Sequence, residues 1–282
     1  MIALFLSVAC SVTIAFILKF NEERAGDRMV VLAGNYLMAA FIGGMSLLSE
    51  PQESFTLDLP ILLFGMLVGV GFVVAFFAYM KSVKEVGVAL ATLIARISIV
   101  VPLILSATFY REIPTPLQFT GILITFITIY LFTRSIRGDK TKTYTAESLF
   151  YIFLLFFMLG FNDFSMKVFQ EWQSPSQKST FLFILFGMAA LITWIWIAVK
   201  RSKIKKFDLG LGCILGVPNM FASYFLIDAL QVLPGILVYP LVNVSIIGLT
   251  VLGGILLWRE KINRLGWISL IFAAVAITLL SI

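Results

Sequence analysis

Arg96 is the deepest charge in the sequence: from Val88 to Ile104 the only other polar side chains are Thr92 and Ser98. An ionised side chain inside an apolar run of this kind costs several kcal/mol or is locally solvated, so it marks a candidate for function. A guanidinium offers a planar fork of N–H donors that matches a carboxylate or phosphate, which makes Arg96 suited to gripping an anionic solute. The alternative is structural: Arg96 pairs with Asp163, next to Asn162 in another apolar run, and fixes two helices. If both readings hold, an anion and protons compete for the pair.

Fewer polar groups accompany these than a soluble active site would hold. Lys19, Lys167 and Asp228 fall nearer the ends of apolar runs. There long basic stems reach headgroups and an acid meets water, and the matched positions of the two lysines also suit gating. Asn219, Tyr224 and Asp228 alternate with Phe221 and Phe225, Tyr239 and Asn243 precede Ser245, and Phe72, Phe76, Phe77 and Tyr79 form an aromatic run. An apolar cavity with a few polar tips has this composition, although aromatic stripes also serve packing. The expected substrate-binding set is therefore Arg96, Asp163, Asn162, Asn219, Tyr224, Tyr239, Asn243 and Phe76, with Asp163, Lys19, Lys167 and Asp228 as gating or coupling residues.

Catalytic chemistry finds little to work with. The chain contains no histidine, the commonest acid-base group and metal ligand. Asn162-Asp163 resembles the acidic motifs that hold magnesium in membrane prenyltransferases, but the next acid is Glu171 at the exit of the run. No GxSxG elbow or phosphate-binding loop is present, so no catalytic residue, metal or cofactor is expected and the driving force would be a gradient, exchange or the substrate itself. Cys10 and Cys213 each sit inside an apolar run, as small buried hydrophobes do.

The elements that must carry these residues follow from composition. With 60% hydrophobic and 13% charged residues in 282, and a mean hydropathy of +1.03, the chain has too little polar surface for a soluble globule. Its apolar runs, near 2–20, 29–48, 60–82, 86–110, 115–133, 149–170, 179–199, 209–231, 235–257 and 262–281, are long enough to cross a bilayer as helices and lack the period of two that barrel strands show. The expected fold class is all-α, a polytopic membrane protein with ten transmembrane helices. The first run has no basic residue before Lys19 and no cleavage signature, so it reads as a helix and not as a signal peptide.

The formal charge of +6 is membrane orientation and not nucleic-acid binding. Outside the runs, every Lys and Arg except Arg111 and Lys178 follows an odd-numbered run, whereas the stretch from Ser49 to Leu59 carries only Glu50, Glu53 and Asp58. The positive-inside rule places the odd-numbered connections in the cytoplasm and both termini outside.

Slid along itself, the chain matches Arg111-Glu112 with Arg259-Glu260, an offset of 148 residues (259 − 111). At the same offset Lys19 meets Lys167, Gly87 meets Gly235, Leu117 meets Leu265, and Phe76-Phe77 meets Tyr224-Phe225. A duplicated unit of five helices must enter the membrane from the opposite side the second time, giving two inverted repeats, 1–133 and 149–282, joined by a basic loop at 134–148.

The stretches VVAFFAYMKSVKEVGVALATLIARISIVVPLILSATFYREIPTPLQFTGILITFITIYLF and ASYFLIDALQVLPGILVYPLVNVSIIGLTVLGGILLWREKINRLGWISLIFAAVAITLL resemble EamA domains of the drug/metabolite transporter superfamily. The likeness rests on an aromatic and small-residue helix, a helix ending in Glu112 or Glu260, and Gly121 nine residues after the first Glu. Ser269 stands where the second repeat would carry its Gly, and Pro102 is matched by Thr250. The resemblance implies a ten-helix inverted repeat that transports metabolites or drugs, in the cytoplasmic membrane of a prokaryote. Its partners would be a small-molecule substrate and the lipid bilayer, with proton coupling through Asp163 and two fused halves sufficing as a monomer. With Arg96 central, carboxylate-bearing solutes such as amino acids are the expected cargo, and the resemblance implies export as the direction. A cation exporter, the rival, would want an embedded carboxylate, and the first run offers none before Glu22.

Overall fold

The computed structural model describes residues 1–49, 58–135, 145–173, 175–259 and 263–282, and among them there is no strand. Its helices are α1 (Ile2–Glu23), α2 (Arg28–Ser49), α3 (Leu59–Val86), α4 (Val88–Ile97), α5 (Val100–Phe109), α6 (Pro116–Ser135), α7 (Ala146–Trp172), α8 (Lys178–Lys200), α9 (Lys206–Val232), α10 (Gly235–Trp258) and α11 (Arg264–Ser281). By length and composition they supply ten candidate membrane spans among the described residues, α4 and α5 together making one. The all-α, polytopic expectation holds. Glu50, Glu53 and Glu260, and most of the 134–148 loop, lie outside the described residues.

The fourth run differs from the single helix expected over 86–110. It breaks between Ile97 and Val100, where Pro102 lacks the N–H that would bond to Ser98 and its ring crowds that same carbonyl. The Val101 amide takes up the Ser98 carbonyl instead, at 3.0 Å. Pro218 and Pro240, by contrast, sit inside continuous helices.

Several helices start on side-chain caps. Asp27 Oδ1 accepts from the Met29 and Val30 amides ahead of α2, Thr115 and Gln118 bond reciprocally at the start of α6, and Thr145 and Ser148 do the same for α7. Each cap satisfies amides that the first turn leaves without a helical partner.

The chain forms two compact units, neither of them a sequence half: Met1–Val73 with Val168–Ala229, and Val74–Lys167 with Leu230–Ile282. In the first, α2 runs along α8, and the glycines at GxxxG spacing, Gly65 and Gly69 on α3 and Gly212 and Gly216 on α9, are where neighbouring helices meet. A Cβ on Gly216 would lie 2.5 Å from the Asn35 carbonyl of α2, one on Gly212 would collide with the Val31 carbonyl, and one on Gly69 of α3 would lie 2.5 Å from the Leu185 carbonyl of α8. Helix approach this close needs glycine. In the second unit α6 runs along α11, and α10 packs against α5, α6 and α11.

Candidate functional site

Arg96 occupies the last turn of α4, just before the Pro102 break. That end of a helix carries unpaired carbonyls and the negative pole of the dipole, which favours a cation. Ser98 reaches back to the Ala95 carbonyl at 2.7 Å. The guanidinium donates from Nη1 to Asn243 Oδ1 on α10 at 3.3 Å, and Asn243 Nδ2 in turn donates to the Tyr239 carbonyl at 3.2 Å. Tyr239, 2% exposed, donates its hydroxyl to the Asp163 carbonyl on α7 at 2.8 Å. Asp163 lies close enough for its charge, and the Tyr79 hydroxyl of α3, to act on Arg96. The direct Arg96–Asp163 ion pair expected from the structural reading is not formed among the described residues. Beside Asp163, the buried Asn162 Oδ1 has no hydrogen-bond partner among the described residues.

The second unit thus draws together Arg96, Asn162, Asp163, Tyr239 and Asn243 from α4, α7 and α10. Phe76 belongs to the same unit, half-buried on α3. One turn beyond Asp163, Lys167 is 3% exposed. It does not snorkel: its ammonium pairs with Glu112 Oε1 at 2.9 Å and lies 5.4 Å from the Tyr110 ring.

Lys19, Asn219, Tyr224 and Asp228 belong to the first unit. Asp228 does not simply face water, because Lys178 at the start of α8 pairs with it and rests on the face of Tyr224, 3.2 Å from the ring centroid. Tyr224 and Phe221 of α9, with Ile42, Met45, Ser46 and Ser49 of α2 and Ser179 of α8, line an open cavity of about 490 Å³. Asn219 and Lys19 are half-buried on α9 and α1.

Among the described residues, Lys178 and Asp208 are buried and Glu112 nearly so, and the sequence did not place these three ionic residues in the site. Glu112 was visible as part of the repeated Arg-Glu pair. Lys178 stood at the edge of an apolar run, where sequence cannot separate a span from its connection.

An uncharacterized protein of Haemophilus influenzae is 25% identical over 97% of this chain and 95% of its own length. A crystal structure with 13% identity superposes with a TM-score of 0.80, covering 99% of this chain and 94% of the other, which shows a shared fold. Residues 1–134 match the EamA-like transporter family, consistent with an EamA-domain drug/metabolite transporter.

Proposed function

We propose that the protein is a secondary transporter that carries carboxylate-bearing small solutes, amino acids among them, and that Arg96 grips the carboxylate. The observation that carries this reading is the unspent bonding capacity of Arg96. Of five N–H donors on a guanidinium, one hydrogen bond is made to a described residue, to Asn243 at 3.3 Å. A half-buried cation with donors to spare, and no acid in direct contact among the described residues, favours an anionic visitor over a purely structural pair. Asp163 nearby supplies a competing charge through which proton movement would be coupled.

Alternating access between inverted repeats fits the same chain. Long helix contacts join α2 to α8 and α6 to α11, and the 148-residue offset makes each of these a helix and its own counterpart. Arg111 and Arg259, matched by that offset, both take left-handed backbone conformations, φ 56° and 52°. These observations support duplication, and duplication with inversion is a common basis for exchange between inward-open and outward-open forms. Export across a prokaryotic cytoplasmic membrane by a monomer completes the proposal.

The test is uptake by proteoliposomes holding the purified chain, with labelled amino acids, organic acids and cationic dyes, and with folded Arg96→Ala protein alongside. Carboxylate uptake that Arg96→Ala loses supports the grip. Dye uptake indifferent to Arg96 favours the cation-exporter reading and makes Arg96 structural.

A further inference from the structure

Helix α10 starts without a cap of its own. Its N-cap is Pro234, which offers neither a side-chain acceptor nor a backbone N–H. The Leu237 and Val238 amides bond to the Pro234 carbonyl, but the Ile236 amide donates to Glu112 Oε2 at 2.9 Å. A carboxylate at a helix N-terminus is well placed both as acceptor and as counter-charge to the dipole. Arg111, in the left-handed conformation at the end of α5, turns the chain there.

The other oxygen of Glu112 holds Lys167 Nζ of α7 at 2.9 Å, with side-chain exposures of 10% and 4%. The approach is tight: a Cβ on Gly235 would lie 2.9 Å from Ser106 Oγ, 3.1 Å from the Tyr239 ring and 3.4 Å from Glu112 Oε2. One carboxylate therefore ties the first turn of α10 to α7. Tyr239 follows about one turn into α10 and Asn243 about one turn later. These two residues reach Asp163 and Arg96.

We propose that Glu112 is a positioning residue of the anion site: it docks the start of α10 on α7 and so sets where Asn243 meets Arg96. The inference rests on the Arg96 reading for its functional half. An ion pair alone would need only opposite charges at 112 and 167. Docking of α10 needs an acceptor at 112.

The experiment separates acceptor from charge in a background without the buried ammonium. Full-length Glu112→Gln/Lys167→Met and Glu112→Ala/Lys167→Met proteins are reconstituted in nanodiscs for amide hydrogen exchange, and in proteoliposomes for uptake of a labelled amino-acid mixture. Both double variants are neutral at the pair, so neither leaves an unpaired buried charge. Expected is near wild-type exchange over residues 235–243 in the Gln/Met protein, with at least about tenfold faster exchange and slower initial uptake in the Ala/Met protein. Equal exchange in the two would overturn the role of Glu112. Wild-type uptake by Arg96→Ala would instead remove the grip itself, and that result is read from a different variant.

Discussion

Arg96 donates to Asn243 and faces Asp163 without touching it, so its neighbours have separable effects. Arg96→Lys keeps the charge but loses the planar fork, and carboxylate uptake should fall nearly as far as in Arg96→Ala. Asn243→Ala removes one bond to a charged donor, and uptake should drop by roughly tenfold. Asp163→Asn should leave counterflow of the same solute intact while abolishing accumulation driven by a pH gradient. Persistent pH-driven accumulation in that variant would show that Asp163 does not couple protons. In the first unit, Asp228→Ala strands the Lys178 ammonium, 6% exposed, and should lower stability by about 3 kcal/mol in reversible unfolding, with Lys178→Met/Asp228→Ala recovering most of it. Sequence alone singled out Arg96, Asp163, Tyr239 and Asn243 because polar groups are expensive in hydrocarbon and thus conspicuous. Glu112, Lys167 and Lys178 were harder to read, since each stands near a run's end and only tertiary packing decides whether such a residue is wet or buried.

At the scale of the helix, small residues and prolines carry the argument. Gly69, Gly212 and Gly216 face neighbouring backbone within contact distance, whereas a Cβ on Gly248 would meet nothing within 4 Å. Gly216→Ala and Gly69→Ala should each lower stability by about 1–3 kcal/mol through overpacking, while Gly248→Ala should be neutral or slightly stabilising from helix propensity. Equal melting temperatures for Gly216→Ala and Gly248→Ala would show that α2 and α9 give way at their contact. The GxxxG spacing was plain in the sequence, but spacing does not say which partner helix approaches. The helices themselves were legible from hydropathy to within a few residues. The break after Ile97 was not, because three prolines, Pro102, Pro218 and Pro240, lie deep inside apolar runs and one interrupts its helix completely. Pro102 does so beside Arg96, where the freed helix end is useful to a cation.

For the molecule as a whole, orientation in the membrane is the question that loop charge raised, and a parity argument fails if one span is miscounted. Contacts within each unit bear on it independently. In the first unit the Asp27 amide donates to Asp208 at 3.2 Å and the Arg24 guanidinium lies 3.5 Å from the Phe207 ring centroid, so the connections after the first and seventh spans share one end. Gln177 bonds Asp58 at 3.4 Å, joining the connections after the second and sixth spans. In the second unit Asn263 bonds the Ser135 carbonyl at 3.0 Å, bringing together the connections after the fifth and ninth spans, and Glu112 meets Ile236 across those after the fourth and eighth. Odd thus sits with odd and even with even in both units, and the basic residues gather on the odd ends. The positive-inside rule then gives a definite expectation. In a protein with Cys10 and Cys213 replaced by serine, Ile113→Cys, on a residue 86% exposed, should react with a membrane-impermeant maleimide on intact cells. Lys203→Cys should react only after permeabilisation. The opposite pattern would place the basic connections outside, and export would then have to be argued from a pathway running the other way through the same helices.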